Sequence, residues 1–250
     1  MVFTWLGGPT FVLRLGAFTV LADAVFSQGK GKCARLVPPA EPSLDDVDGV
    51  FISRFAEDHC DAAALNRIPP GTTAIAPPSA VVPLTAIGYT DVRGLEWWED
   101  LRLQKGGEVL EAAAVPANAA LADSEGGSSA VGNGYVFRHT AAGVTTSVYW
   151  TGDSVWSNNL REIPLRFGHV NLLILHLGAE IAPSSGLRIS ADARDAMQFV
   201  FRMQPRTIIP IHHSTHAHYT EPIDAFRSRI DVTLYERKLA VLAAGQVFEK

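Results

Sequence analysis

The sequence predicts a layered α/β fold, and three observations carry that expectation. Nearly continuous apolar runs, Gly49–Ser53 (GVFIS), Asn171–His176 (NLLILH) and Thr207–Ile211 (TIIPI), read as strands covered on both faces. Helix-like patterns lie between the strands, which is the signature of mixed layers. With 47% hydrophobic and 19% charged residues, the chain has enough apolar surface to bury a core and is not of the disordered class.

Each element follows from local pattern. Thr10–Asp23 holds two β-branched and aromatic runs around Leu15-Gly16-Ala17 and reads as a hairpin. The GVFIS strand follows, then a helix over about Asp61–Ile68. Glycine and small residues dominate Ala112–Gly134, which reads as a long loop. Val131–Arg138 and Thr145–Thr151 form a second predicted hairpin. Helices are expected over about Val155–Phe167, over Ala191–Met203 with Ser190 as its cap, and over Pro222–Ile230. Two segments echo each other: Asp23-Ala24-Val25-Phe26-Ser27 and Asp153-Ser154-Val155-Trp156-Ser157 share a D-x-V-aromatic-S pattern, and each follows a predicted strand. At 250 residues the chain is expected to form a single domain over 1–250.

Composition also excludes classes of function. With 21 Lys+Arg against 26 Asp+Glu, the net charge of −5 lacks the basic footprint expected of a nucleic-acid or anionic-membrane binder. Cys33 and Cys60 are too few for a disulfide framework, so a reducing compartment is expected. The first apolar stretch lacks a basic lead-in, and Arg14 and Asp23 cut it short of the roughly 20 residues that span a bilayer. A soluble cytoplasmic protein acting on a small molecule is the expectation. Trp97-Trp98 is a candidate substrate entrance or homo-oligomer contact, with packing over the sheet as the commoner fate.

The acids and imidazoles at strand ends carry the chemistry. Asp58 and His59 follow GVFIS, Asp153 follows Thr145–Thr151, and His212 follows TIIPI. Ligands of α/β sheets bind beyond the carboxyl ends of strands, so these four groups can converge. Two imidazoles and two carboxylates suit one divalent ion, zinc first, with manganese or iron as alternatives.

At these residues the sequence resembles the metallo-β-lactamase-fold hydrolases, in particular the branch that includes L-ascorbate-6-phosphate lactonase. Thr4-Trp5-Leu6-Gly7 with Thr10-Phe11-Val12-Leu13 resembles the opening TWLGHATxLL hairpin, and Val20-Leu21-Ala22-Asp23 the LTDP strand end. Val47–Ser53 resembles the VDAVLIS strand that leads into an H-x-H-x-D-H motif. Tyr149–Ser154 is similar to YxxGDT, whose Asp bridges two metals in the family. Leu175–Ala179 resembles LHLGA. Ile209–His212, continuing through His218 to Glu221-Pro222, resembles VPIHxxxxxHFxEP, whose first His is a ligand. Val241–Phe248 resembles the closing strand pair. The resemblance covers nearly the whole chain and implies an αβ/βα four-layer sandwich, two mixed sheets flanked by helices, with hydrolysis of an ester, lactone or phosphoester.

The departures bear on mechanism. At the H-x-H-x-D-H position stand Arg54-Phe55-Ala56-Glu57-Asp58-His59, so the first two histidines are replaced by Arg54 and Ala56. The third His of that metal falls on Asn118-Ala119, and the His of the opening GHA is replaced by Gly8. The resemblance therefore implies at most one metal, on Asp58, His59, Asp153 and His212, with Asp58 or Asp153 orienting a water. The alternatives are an inactive relative in which Arg54 replaces metal charge and binds an anion, and an interaction scaffold. His213, His216 and His218 read as pocket-rim or surface residues, Cys60 as a small buried hydrophobe, and His139 as a solvated hairpin tip. For His176, support of the site and a plain structural role stand as equal readings.

Overall fold

A computed structural model describes residues 1–117, 132–182 and 186–250. Thirteen strands are described: β1 (Val2–Gly7), β2 (Thr10–Leu15), β3 (Phe18–Ala22), β4 (Gly49–Phe51), β5 (Ala74–Ala76), β6 (Val92–Gly94), β7 (Asp100–Lys105), β8 (Glu108–Ala117), β9 (Gly132–Ala141), β10 (Val144–Trp150), β11 (Leu172–His176), β12 (Thr207–Ile211) and β13 (Val247–Glu249). The α-helices are α1 (Pro78–Ala86), α2 (Glu162–Phe167), α3 (Ala193–Met203) and α4 (Ile223–Ile230).

The strands form two mixed sheets. One runs β13-β1-β2-β3-β4-β5-β6 and the other β12-β11-β10-β9-β8-β7. The β3 to β6 pairings are parallel, as are β10–β11 and β11–β12, while the β1–β2, β2–β3, β7–β8, β8–β9 and β9–β10 pairings are antiparallel. Between the sheets lies an aromatic core that includes Phe3, Trp5, Phe11, Phe51, Tyr135, Phe137 and Trp150. Leu84 of α1 packs on the outer face of the first sheet with Leu21, Val50 and Ile52. Ile163, Phe199, Val200 and Phe226 cover the second sheet over Tyr149, Leu173 and Ile208. The result is the expected sandwich of two mixed sheets flanked by helices. No described helix is long and apolar enough to cross a membrane.

Five sequence expectations need correction. Ala112–Gly134 is not a loop throughout: Ala112–Ala117 lies in β8 and Gly132–Gly134 in β9, joined in antiparallel register from Val109↔Thr140 to Ala117↔Gly132. Alanines carry no period-2 signal, so only cross-strand pairing identifies this strand; residues 118–131, including Asn118 and Ala119, lie outside the described residues. The cap of α3 is Asp192, which accepts from the backbone N–H of Arg194 and Asp195, rather than Ser190. The closing segment contributes one strand, β13, paired with β1, rather than a strand pair. Within Val155–Phe167 the chain forms a short 3-10 turn and then α2, and Asp61–Ile68 holds a 3-10 turn over Ala62–Asn66.

A candidate metal centre

The site forms where parallel strands of the two sheets end. Asp23 follows β3, the Ser53–His59 segment follows β4, Asp153 follows β10, His176 ends β11 and His212 follows β12. Backbone strain accompanies these exits: Asp23 (φ 40°), Ala179 (φ 48°) and His212 (φ 57°) are left-handed without being glycine, a conformation held only where surroundings over-determine it. For His212 the restraint is visible, because its N–H donates to Gly8 O at 3.0 Å.

Asp58, His59, Asp153 and His212 are all buried. His59 Nε2 lies 3.0 Å from Asp153 Oδ2 and 3.6 Å from Asp58 Oδ2. His212 Nε2 lies 3.6 Å from the same Asp58 oxygen. Arg54, with its side chain 15% exposed, places Nε 2.9 Å from Asp153 Oδ2 and Nη2 3.7 Å from Asp58 Oδ1 and 3.5 Å from Glu180 Oε2.

Each imidazole is oriented by its other nitrogen. Asp23 Oδ2 takes His59 Nδ1 at 2.8 Å, and Ser53 donates to both Asp23 oxygens, by its N–H and its hydroxyl, at 2.7 Å each. Leu177 O lies 3.2 Å from His212 Nδ1, which leaves Nε2 facing Asp58. Trp150 donates to His176 Nε2 at 2.7 Å, so His176 carries its proton on Nδ1 and donates it to Asp153 Oδ1 at 3.0 Å. This backing of imidazoles by carboxylate or carbonyl is the arrangement that fixes tautomers at metal sites. The two echoing segments thus place Asp23 and Asp153 on opposite nitrogens of His59.

Charge is unevenly balanced here. Burial alone raises the Asp58 carboxyl, but His59, the nearby His212 and His218 rings, and Arg54 together hold it well below the usual range. Asp153 is likewise pushed up by burial, yet His212, His59, Arg54 and His176 bring it well below. Burial opposes charge on His59, and Asp153 and Asp58 overcome it, raising its pKa well above the ordinary value. Glu180 is raised, by burial first and then by the charges of Asp58 and Asp153.

The histidine-rich run corrects another expectation. His213 and His216 are buried rather than at a rim, with burial pushing them down to about 4 and about 3. The His218 side chain is 7% exposed, its Nε2 3.4 Å from Asp58 Oδ2 and 3.8 Å from Glu180 Oε2. His216 packs against Gly8, where an added Cβ would lie 2.5 Å from its Cε1. His139 is also buried, bonded to Glu108 Oε2 at 2.7 Å, because it faces β8 in mid-strand rather than capping a turn. Cys60 is buried as expected, and Trp97 and Trp98 are half-buried, Trp97 donating to Gly132 O at 2.9 Å. Sequence reasoning did not single out Glu180 or assign Asp23 to the site; Asp23 alone carried a local signal, an acid directly following a predicted strand end.

The donor atoms fall into overlapping groups in which all members lie within 4.8 Å: Asp58, Glu180, His212 and His218; His59, Asp153 and His212; and Asp23, His59 and His176. Asp58 Oδ2 and His212 Nε2 are buried and make no hydrogen bond among the described residues, while His59 Nε2 and Asp153 Oδ2 meet each other and Arg54 only as close charged contacts. A buried polar atom without a hydrogen bond costs about 1–3 kcal/mol, more where charged, so clustered donor atoms of this kind fit a bound cation.

A two-sheet sandwich with acids and imidazoles at its strand ends defines the metallo-β-lactamase fold. The sequence profile of the beta-lactamase superfamily domain matches residues 19–213, and the chain belongs to that family. It is 28% identical over 217 residues, 85% of this chain and 74% of the relative, to a UPF0173 metal-dependent hydrolase of Anaeromyxobacter sp. (strain K). Among solved structures it is similar to a possible metal-dependent hydrolase from Veillonella parvula DSM 2008 (TM-score 0.80, 22% identity, 99% of this chain and 98% of that one). It is also similar to an isothiocyanate hydrolase from Delia radicum gut bacteria (TM-score 0.79, 20% identity, 100% and 99% covered).

Proposed function

We propose that the chain is a metal-dependent hydrolase that works with one divalent ion anchored on Asp58 and His212, with His59 and Asp153 beside them and Arg54 in the place of a second ion. One observation carries the reading: the buried Asp58 Oδ2 and His212 Nε2 make no hydrogen bond among the described residues and lie 3.6 Å apart, with further buried donors beside them. The relatives named as metal-dependent hydrolases support it. Imidazole nitrogen with carboxylate oxygen suits zinc first, with manganese or iron as alternatives.

When bound, such an ion supplies Lewis-acid polarisation of a water or of a substrate oxygen. The chain's own groups do the rest. Asp58 or Asp153 orients the attacking water by accepting its hydrogen. Asp23 and Leu177 O hold the His59 and His212 rings in place, and Arg54 offsets the charge of Asp153 and Asp58. The substrate class, a small-molecule ester, lactone or phosphoester, follows the resemblance to the lactonase branch. The isothiocyanate hydrolase among its structural relatives adds that class to the panel. Action in the cytoplasm, without nucleic-acid or membrane partners, belongs to the same proposal.

The anion-binding alternative is disfavoured because the Arg54 guanidinium already faces Asp153, Asp58 and Glu180. Elemental analysis of protein purified without chelator tests the choice, together with turnover of the ester, lactone, phosphoester and isothiocyanate panel with and without added zinc or manganese. One metal per chain, lost in an Asp58→Ala/His212→Ala double variant, is the expected result. No metal above background after either ion is added would sink the hydrolase reading and leave the Arg54 pocket.

A further inference from the structure

Resting on that metal dependence, we propose that Glu180 and His218 complete the ligand set, so that the ion sits among Asp58, Glu180, His212 and His218 rather than against His59 and Asp153. Among the described residues this is the one group of four donors that lie within 4.8 Å of one another. Its edges suit a small ion. His218 Nε2 and His212 Nε2 lie 3.4 and 3.6 Å from Asp58 Oδ2, and Glu180 Oε2 lies 3.8 Å from His218 Nε2. Bonds of about 2.0–2.1 Å place tetrahedral ligands roughly 3.3–3.4 Å apart, so small side-chain shifts close the cluster.

The competing trio of His59, Asp153 and His212 does not include Asp58, and two of its members are already engaged. Asp153 holds Arg54 and His59 on Oδ2 and His176 on Oδ1. His59 turns its Nε2 onto Asp153 Oδ2 at 3.0 Å. His212, by contrast, uses Nδ1 on Leu177 O and turns Nε2 toward Asp58, into the four-donor group.

The two added residues are held in register by backbone bonds. Glu180 N donates to Ser190 Oγ at 2.8 Å. Thr220, two residues after His218, donates its N–H to Gly178 O at 2.8 Å and its hydroxyl to Ala179 O at 2.6 Å, which ties the two loops together. Charge points the same way. Three carboxyl groups, Asp58, Asp153 and Glu180, gather around the single guanidinium of Arg54. A divalent ion on the Glu180 side adds positive charge where they converge.

The test is metal binding by the full-length, chelator-stripped protein, read as zinc affinity by calorimetry and as the visible d–d spectrum of added cobalt. His218→Gln and Glu180→Gln, each checked for wild-type circular dichroism, are expected to weaken zinc binding at least tenfold to a hundredfold, on the order of what even indirect supports of ligands cost. His218→Gln is also expected to alter the cobalt spectrum. Wild-type protein that binds one equivalent while both variants bind within twofold of it, with an unchanged spectrum, overturns this ligand set and leaves the hydrolase reading intact. Wild-type protein that binds no metal overturns both.

Discussion

Arg54→Ala is the most informative single perturbation in metal-free protein. The guanidinium lies 2.9 Å from Asp153, 3.5 Å from Glu180 and 3.7 Å from Asp58, with its side chain only 15% exposed. Removing it leaves those carboxylates facing one another in a site that excludes most water. Breaking a buried ion pair from one side costs about 3–5 kcal/mol, because the remaining charge keeps its desolvation penalty. For a chain of this size each kcal/mol moves the melting temperature by roughly 2–4 °C, so the expected loss is about 6–20 °C. Thermal melts of wild type, Arg54→Ala and Arg54→Lys at pH 7 in chelator measure it. Lysine keeps the charge without the planar fork and is expected to lose less than alanine. An Arg54→Ala melt within about 2 °C of wild type would refute the claim that this arginine neutralises the carboxylates. A second reading comes from repeating the melts with zinc: a bound divalent ion supplies positive charge, so the deficit of the alanine variant narrows.

Other outcomes follow from the same contacts. In metal-free protein the urea midpoint is expected to peak near pH 6.5–7. The raised His59 contributes stability fully present below about 6.5 and lost as pH climbs through its folded value, whereas burial depresses His176 and His213 to about 4 and His216 to about 3, so protons taken up by the unfolded chain below about 6.5 destabilise the fold. The lowered Asp58 and Asp153 add a further loss only as pH falls below about 3.9, and a midpoint that rises steadily from pH 7 to pH 5 would contradict this balance. Gly8→Ala is expected to lower the melting temperature by at least about 2–8 °C, from about 1–2 kcal/mol of left-handed strain at φ 61° plus the clash with His216; an unchanged melt would show that the ring moves freely. Burial pushes the Cys60 thiol up to about 12, so it should react with a disulfide reagent at pH 8 only at the rate of unfolding, and fast native-state labelling at Cys60 would count against its burial.

Strands β7 and β8 of the second sheet and β5 and β6 at one edge of the first lay outside sequence reasoning for identifiable reasons. The Phe18–Ala22, Leu172–His176 and Thr207–Ile211 strands are buried along their whole length, so their apolar runs announce them. By contrast β8 carries three consecutive alanines, Ala112 to Ala114, whose strand state rests on pairing with β7 and β9. Helix α1 begins at Pro78 and contains Pro83, a composition that argues for a break, and it persists because Ala80 and Leu84 pack on the first sheet.

At the site the same division holds. Asp58, His59, Asp153 and His212 were legible because each sits just beyond an apolar strand, and in an α/β layer strand ends converge. Their chemistry types and their places in the chain are properties of the sequence alone, as is the arginine that stands among them. What surrounds them is not. Asp23 backing His59, Trp150 setting the proton of His176, and Glu180 and His218 closing on Asp58 join residues tens to well over a hundred positions apart. Burial, tautomer and charge balance are set by neighbours in space, so only the packing of one sheet against the other decided which acids and imidazoles share a centre.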